Sequence, residues 1–379
     1  MGRQLNSNEI YSALSNMIIS MQTFADNING LDSSLADSMK TDGTLYGDTK
    51  GYVATDILRS YTWNNDAEAA NLLKTFRPPM PKTQYITLDV FKQIPLTLDD
   101  ILSKRAWGDE GSFSTFSSVM QAWMGDTKRV YDKTTVDAFV GTNETTLNNQ
   151  TRTITLPTDT NKDAEARLQT TAIAELLANI EVELADINTV NDFGFTRSWA
   201  KGDLEVVWNA EYKNKLVKTG LPFFYTSQNG LIDFEGKTLP KHYFGVRVTT
   251  DNIASYTGAD KVFAADGKYQ PTKGKAYAAE ELDITLGVVT HHLFAGQELP
   301  ANAVVNTAAI NAGLRVYVGD ENIIFKIIKK GQACPYMSAF EQSTSFFNAK
   351  ALLTNYYLTF GHNTMEHLKQ YPWITVRKA

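Results

Sequence analysis

The chain has 379 residues, 43 % of them hydrophobic and 21 % charged, a balance that permits a sizeable core and excludes an intrinsically disordered polymer. A formal net charge of −6 with no strongly basic stretch excludes tight nucleic-acid binding driven by phosphate neutralisation. The single cysteine, Cys334, excludes an intrachain disulfide or a Cys-based zinc site, and no apolar run approaches the ~20 residues of a membrane span.

Residues 1–50 read as a mobile arm. Their start is polar and lacks a signal-peptide layout. Within the arm, Ile10, Leu14, Met17, Ile18, Met21 and Phe24 recur at helical spacing, and a polar, Gly-rich tether follows Gly30. Such a helix builds no core of its own and is expected to pack on another surface.

The run Arg77-Pro78-Pro79-Met80-Pro81 breaks the chain before a strand-like segment at 83–98. There Tyr85, Thr87, Asp89 and Phe91 alternate with Ile86, Leu88 and Val90, giving one mixed face and one apolar face, as in a ribbon that meets a partner.

A long helix is predicted over 112–141, with Ser112 as its N-cap, Gly141 as its stop and Trp123 as a buried core residue. A polar Thr/Asn/Asp-rich connector, 142–163, leads to an amphipathic helix over 164–187. Its apolar face carries Ile173, Leu176, Leu177, Ile180, Leu184 and Ile187. A buried strand at 204–208 and a short helix at 210–218 come next. From 221 to 333 short strands alternate with Asn-Gly, Glu-Gly, Asp-Gly and Lys-Gly turns, with strands at 245–248, 315–318 and 322–328. The aromatic-rich end holds a strand at 351–360.

Each chemical motif has a plainer explanation. Gly236-Lys237-Thr238 has the tail of a phosphate-binding loop, but Leu231 stands where the first glycine belongs and Pro240 interrupts any helix. His362 and His367 are five residues apart, about 140° beyond a full helical turn, and do not converge on one ion. With Glu366 they read as a solvated turn. His291 and His292 would face opposite sides of a strand. Asp99-Asp100 and Glu280-Glu281 read as solvated surface, and Cys334 as a packing residue. No catalytic residue, metal site or cofactor is expected. The surplus is aromatic, with 6 Trp, 17 Tyr and 19 Phe, and arm, ribbon and long helix are not all expected to be buried in one subunit.

The order of elements resembles the major capsid protein of tailed bacteriophages, a fold shared with encapsulins and the floor of herpesvirus capsids. Trp107-Gly108 leading into Phe113-Ser-Thr-Phe116 and a helix to Phe139 is similar to the spine-helix entry in capsid proteins of small short-tailed phages of Gram-positive hosts. The stretch 166–184 followed by Asp203-Leu-Glu-Val-Val-Trp-Asn209 resembles the axial-domain helix and strand of that family. Phe244-Gly-Val-Arg-Val248, Val316-Tyr-Val-Gly-Asp320, Phe346-Phe347 and Tyr356-Tyr357 resemble its later strands.

The resemblance implies an α+β subunit of the tailed-phage major capsid protein fold. Its parts are an N-terminal arm (1–50), an extended β-ribbon loop (51–105), a peripheral domain with the spine helix (106–163), an axial domain (164–335) and C-terminal strands returning to the peripheral domain (336–379). It implies a non-enzymatic protein that forms pentamers and hexamers of an icosahedral virion head around double-stranded DNA, without sequence-specific binding and without a membrane. A scaffolding protein and a portal at one vertex are the implied partners, and assembly in the host cytoplasm the implied setting. The chain leaves no room for an added immunoglobulin-like domain, and the arm is too short for a cleaved scaffolding segment. Ile10, Leu14, Phe24, Tyr85 and Phe91 are the expected inter-subunit contacts. The alternatives are an encapsulin-like compartment and a soluble α+β enzyme.

Overall fold

A computed structural model describes residues 31, 34–42, 48–60, 75, 77–99, 110–143, 150–216 and 236–379. In chain order the elements begin with α1 (Ser34–Met39), β1 (Lys40–Asp42), β2 (Thr49–Ala54), β3 (Lys82–Asp99), the long helix α2 (Glu110–Gly141), β4 (Thr142–Asn143), β5 (Thr151–Ile154) and α3 (Lys162–Ala185). After β6 (Leu204–Asn209) come a helical segment at 210–216, β7 (Lys237–Leu239), β8 (Gly245–Arg247) and the one-turn helix α4 (Ile253–Tyr256). The chain continues with β9 (Ala276–Ala278), β10 (Leu282–Leu286), β11 (Val289–Leu293), α5 (Thr307–Asn311), β12 (Val316–Gly319), β13 (Ile323–Lys329), β14 (Tyr336–Asn348), β15 (Leu353–Asn363) and β16 (Trp373–Lys378).

The apolar run Ile323-Ile-Phe-Lys-Ile-Ile328 is too continuous for a strand with one wet face. It forms β13, the middle of a five-stranded sheet in the order β5–β16–β13–β6–β7, and both its faces are covered. On one face Phe325 and Ile327 meet Val206, Trp208, Ile374 and Val376, and the stripe Ile173, Leu177, Ile180 and Leu184 of α3 closes over them. On the other, Val207, Ile328 and Trp373 pack against Val136, Phe139 and Val140 of α2. Helix α3 starts where its sequence specifies: the Asn161 side chain accepts from the N–H groups of Asp163 and Ala164, and Asp163 and Glu165 lie in the positive first turn.

Helix α2 has 32 residues, about 48 Å at 1.5 Å per residue. It begins at Glu110, so Ser112 lies inside the helix and is not its cap. Its last turns are enclosed, with Thr135 through Gly141 all buried. Gly141 is required there, because a Cβ would lie 2.2 Å from the Tyr243 carbonyl oxygen. Trp123 differs from expectation. It is half-buried, while Met124, Lys128 and Tyr131 farther along α2 are buried.

A second five-stranded sheet has the order β1–β14–β15–β3–β2. Long β3 pairs with β15 over its second half and with β2 over its first, so it runs from the body of the protein out into the ribbon. The expected arm, 1–50, is partly built into the body: Leu35, Ala36 and Met39 of α1 lie in the main core, and β1 pairs in parallel with the start of β14. A third sheet, β4–β8–β12–β9, supports a separate apolar cluster that includes Phe263, Tyr269, Leu299 and Val305. The hairpin β10–β11 pairs with no other strand among the described residues.

Because Leu177 is fully enclosed between α3 and the central sheet, Leu177→Ala should lower unfolding free energy by about 2–5 kcal/mol in a denaturant titration. Trp123→Ala should cost clearly less, and equal losses would contradict the half-buried placement of Trp123.

Candidate assembly surfaces

The ribbon is rooted by side chains that replace missing sheet partners. Gln84, buried on β3, donates from Nε2 to the His367 carbonyl at 3.0 Å and accepts from the Lys369 N–H at 3.0 Å. Lys82 donates to the Phe193 carbonyl at 2.8 Å and lies over the rings of Phe193 and Phe195. Beyond β2, the Asp56 carboxylate accepts from the N–H groups of Thr196 at 3.0 Å and Ile57 at 2.9 Å, which hold its pKa below the usual carboxylate value. Arg197 donates to the Thr55 carbonyl at 2.9 Å.

From this anchored root the ribbon presents uncovered apolar side chains. Val53, Ile57, Leu58, Met80 and Tyr85 are all exposed, Met80 at 87 % and Tyr85 at 69 %. Sequence reading singled out Tyr85 and passed over the other four. The signal was present in Met80, an apolar residue between prolines, where neither helix nor sheet can bury it. The candidates Ile10, Leu14 and Phe24 lie outside the described residues.

Phe91 is placed differently from the expected alternation. Leu88 pairs with Asn363 and Val90 with His362, which leaves Asp89 as an extra residue in β3. Such a bulge moves the following side chains to the other face. Phe91 therefore joins the cluster of Ile86 and Leu88 and lies against Gly361, where a Cβ would come 2.7 Å from its ring. Asp89 uses its outward position to accept from the Thr364 N–H at 2.7 Å and hydroxyl at 2.8 Å.

The residues of the chemical motifs are dispersed. His292 binds Asp283 at 2.7 Å and Glu281 at 3.1 Å on the β10–β11 hairpin, and Glu281 also meets Lys92 of β3 at 3.1 Å. Gly236-Lys237 enters β7, which runs parallel to β6. Cys334 is wholly buried, and burial raises its thiol pKa far above the usual range. No group of three or more His, Cys, Asp or Glu residues among the described residues is arranged to hold a metal ion.

The sequence matches the model of the Phi29-like phage major capsid protein family over residues 1–365. The chain belongs to that family. No curated protein matches the sequence. Among solved structures, the capsid of Staphylococcus phage Andhra is similar with a TM-score of 0.58 at 11 % identity, covering 90 % of this chain and 83 % of that one. A chain in the structure of the head fiber and inner core protein of native bacteriophage P68 gives a TM-score of 0.55 at 10 % identity, with the same coverage. At these identities the likeness is one of fold, and it is the α+β fold of tailed-phage capsid proteins.

In this capsid protein, the spine helix α2 is held by a buried polar network. Asp132 accepts from Lys128 at 2.8 Å and from the Tyr336 hydroxyl at 2.6 Å, and Lys40 stands 3.5 Å away. On the residue just before Asp132, the Tyr131 hydroxyl lies 2.5 Å from His362 Nε2, while His362 Nδ1 lies 2.7 Å from the Asn363 carbonyl. A carbonyl only accepts, so Nδ1 carries the proton and Nε2 accepts from Tyr131. The expected solvated turn at His362–His367 is thus corrected. His362 ends β15 and is buried, and His367 bonds Asp192 at 2.7 Å. Burial lowers the His362 pKa, against a weaker opposing pull from the Asn363 carbonyl and the carboxylates of Asp132, Glu280 and Asp89.

Below its ordinary value of about 6.5 the unfolded chain binds a proton that folded His362 resists. The capsid protein's stability should therefore fall as pH drops through and below that value, and His362→Gln should flatten the slope of melting temperature between pH 7.5 and 5.5. An unchanged slope would refute this. Tyr85→Ser should leave unfolding free energy within about 0.5 kcal/mol of the parent, as for an ordinary surface position. A larger loss in a denaturant titration would mean that Tyr85 packs within its own subunit.

Proposed function

We propose that this phage major capsid protein forms pentamers and hexamers that close into an icosahedral head around double-stranded DNA. The observation that carries the reading is the family match over nearly the whole chain, 1–365. The anchored ribbon with its uncovered apolar face supports it: Val53, Ile57, Leu58, Met80 and Tyr85 remain in water in one subunit and are expected to lie over a neighbour. The arm, 1–50, ties neighbouring capsomers together, α2 stiffens the peripheral domain, and the segment 164–335 surrounds the capsomer axis.

The protein acts mechanically and has no catalytic role. Weak contacts repeated by symmetry give a closed wall. A net charge of −6 suits a container that encloses DNA without sequence-specific binding. A scaffolding protein during assembly and a portal at one vertex are the partners of this reading, the host cytoplasm its site of assembly.

Expression of the chain with and without neighbouring reading frames, followed by negative-stain electron microscopy, should yield closed shells, tubes or rings of five or six. A monomer under every condition, with a scaffold candidate present, would overturn the assembly reading. Shells that fill with enzyme cargo and not with genome would favour the encapsulin-like alternative.

A further inference from the structure

We infer that the outer edge of β14, residues 342–348, pairs antiparallel with the same strand of a second copy of this capsid protein. The inference rests on the assembly reading above. β14 has 13 residues, and along 342–348 its inner side is fully laddered to β15. On its outer side β1 covers only Tyr336–Ser338. The rest of that side has no strand among the described residues, and residues 341–347 are exposed.

A free strand edge offers a row of unpaired N–H and C=O groups, and proteins that stay single blunt such edges with lysine, proline, bulges or shortness. None of those devices lies in Gln342-Ser-Thr-Ser-Phe-Phe-Asn348. The one irregularity of the strand, between Ala339 and Gln342, precedes the free stretch and does not interrupt it. The edge strands β2, β4, β5, β7 and β9 of the three larger sheets are protected. β4, β7 and β9 have two or three residues, Lys50 lies in β2 and Arg152 in β5. The open edge of β14 also carries Phe346 and Phe347, 63 % and 52 % exposed, which a monomer leaves in water.

The sequence of the edge favours a second copy of itself as the occupant. An antiparallel pair of identical strands is isologous about a two-fold axis, so each copy satisfies the other's groups equally. The nearest charges are Glu341 and Lys350. In a register centred on Ser345, Glu341 faces Ala349, so no like charges meet, and each Phe346 faces Thr344, a favourable aromatic–β-branched pair. Two-fold contacts of this kind would join neighbouring capsomers.

Single cysteines at the centre of the pair provide the test, because in an isologous pair a residue near the axis meets its own copy. Facing Cα atoms in an antiparallel ladder are about 4.5–5.5 Å apart, within disulfide range. The native Cys334 is fully buried and does not compete. Ser343→Cys, Thr344→Cys and Ser345→Cys are each expressed as assembled particles, oxidised, and run on non-reducing gels. One of the three is expected to give a covalent dimer with no higher ladder. Particles from all three with no dimer would overturn the pairing.

Thr344→Lys tests the same edge independently of cysteine chemistry. Its particle yield should fall at least tenfold at low salt while the subunit melts at the parent temperature; undiminished yield overturns the pairing. Failure of the unsubstituted chain to form any particle overturns the assembly reading and the pairing together. Normal particles without the dimer overturn the pairing alone.

Discussion

Everything in this subunit is referred to one beam, the enclosed half of α2. Its last turns are buried on every side against the central sheet, and Gly141 lets the chain pass the Tyr243 carbonyl without a side chain. Two turns earlier the same helix holds the second sheet through the Tyr131–His362 and Asp132–Tyr336 hydrogen bonds and the edge contact of Tyr131 with Phe360. The two sheets carry different duties, one closing the core and one running out into the ribbon. A buried carboxylate such as Asp132 is costly when its partners are removed. Here Lys128 and Tyr336 both reach it, and the polar contact fixes where the helix sits along β14 in a way that apolar packing alone would not.

Polar side chains do the same work at the root of the ribbon. β2 has only six residues and cannot hold an 18-residue β3 in place alone. Gln84 meets the 367–369 backbone as a strand would, and Asp56 accepts two N–H groups where no strand continues. The Gln84 bonds and the Thr196–Asp56 bond span long sequence separations, so they orient the ribbon against the body and not merely within itself. What projects beyond them is apolar and uncovered. A fixed root with an unsatisfied tip is the arrangement expected of an element whose partner lies outside the subunit.

Elements governed by local periodicity were legible in the sequence. The stripe Ile173–Leu177–Ile180–Leu184 and the apolar run of β13 each followed from pattern and burial, whereas the Asn161 cap had been read as part of the polar connector. Single departures from a pattern were not legible. Alternation along β3 put Phe91 beside Tyr85, and one extra residue at Asp89 reversed it. His362 through His367 read as a solvated turn because the strand was expected to end at 360, whereas β15 runs on to Asn363 and buries His362. Trp123 was assigned to the core because it is large and in phase, yet it is half-buried and the neighbouring Met124 is the buried side chain. In the same way Leu35 and Met39 looked like part of a tether, because the surface that buries them comes from distant residues, among them Phe139 of α2 and Tyr336 of β14.

These failures share a physical origin that also bears on function. A local pattern reports what a segment needs to bury, and it is silent on which distant segment supplies the cover. Where cover comes from the same chain, as for Leu35 or His362, the folded subunit supplies it. For Met80, Tyr85 and Phe346 the described residues supply no such cover, and these residues are as apolar as those that are buried. Exposed singly they would need no explanation. Gathered on a rooted ribbon and along an unblunted strand edge, in a protein of a capsid family, they are the part of the hydrophobic pattern that the described residues leave uncovered.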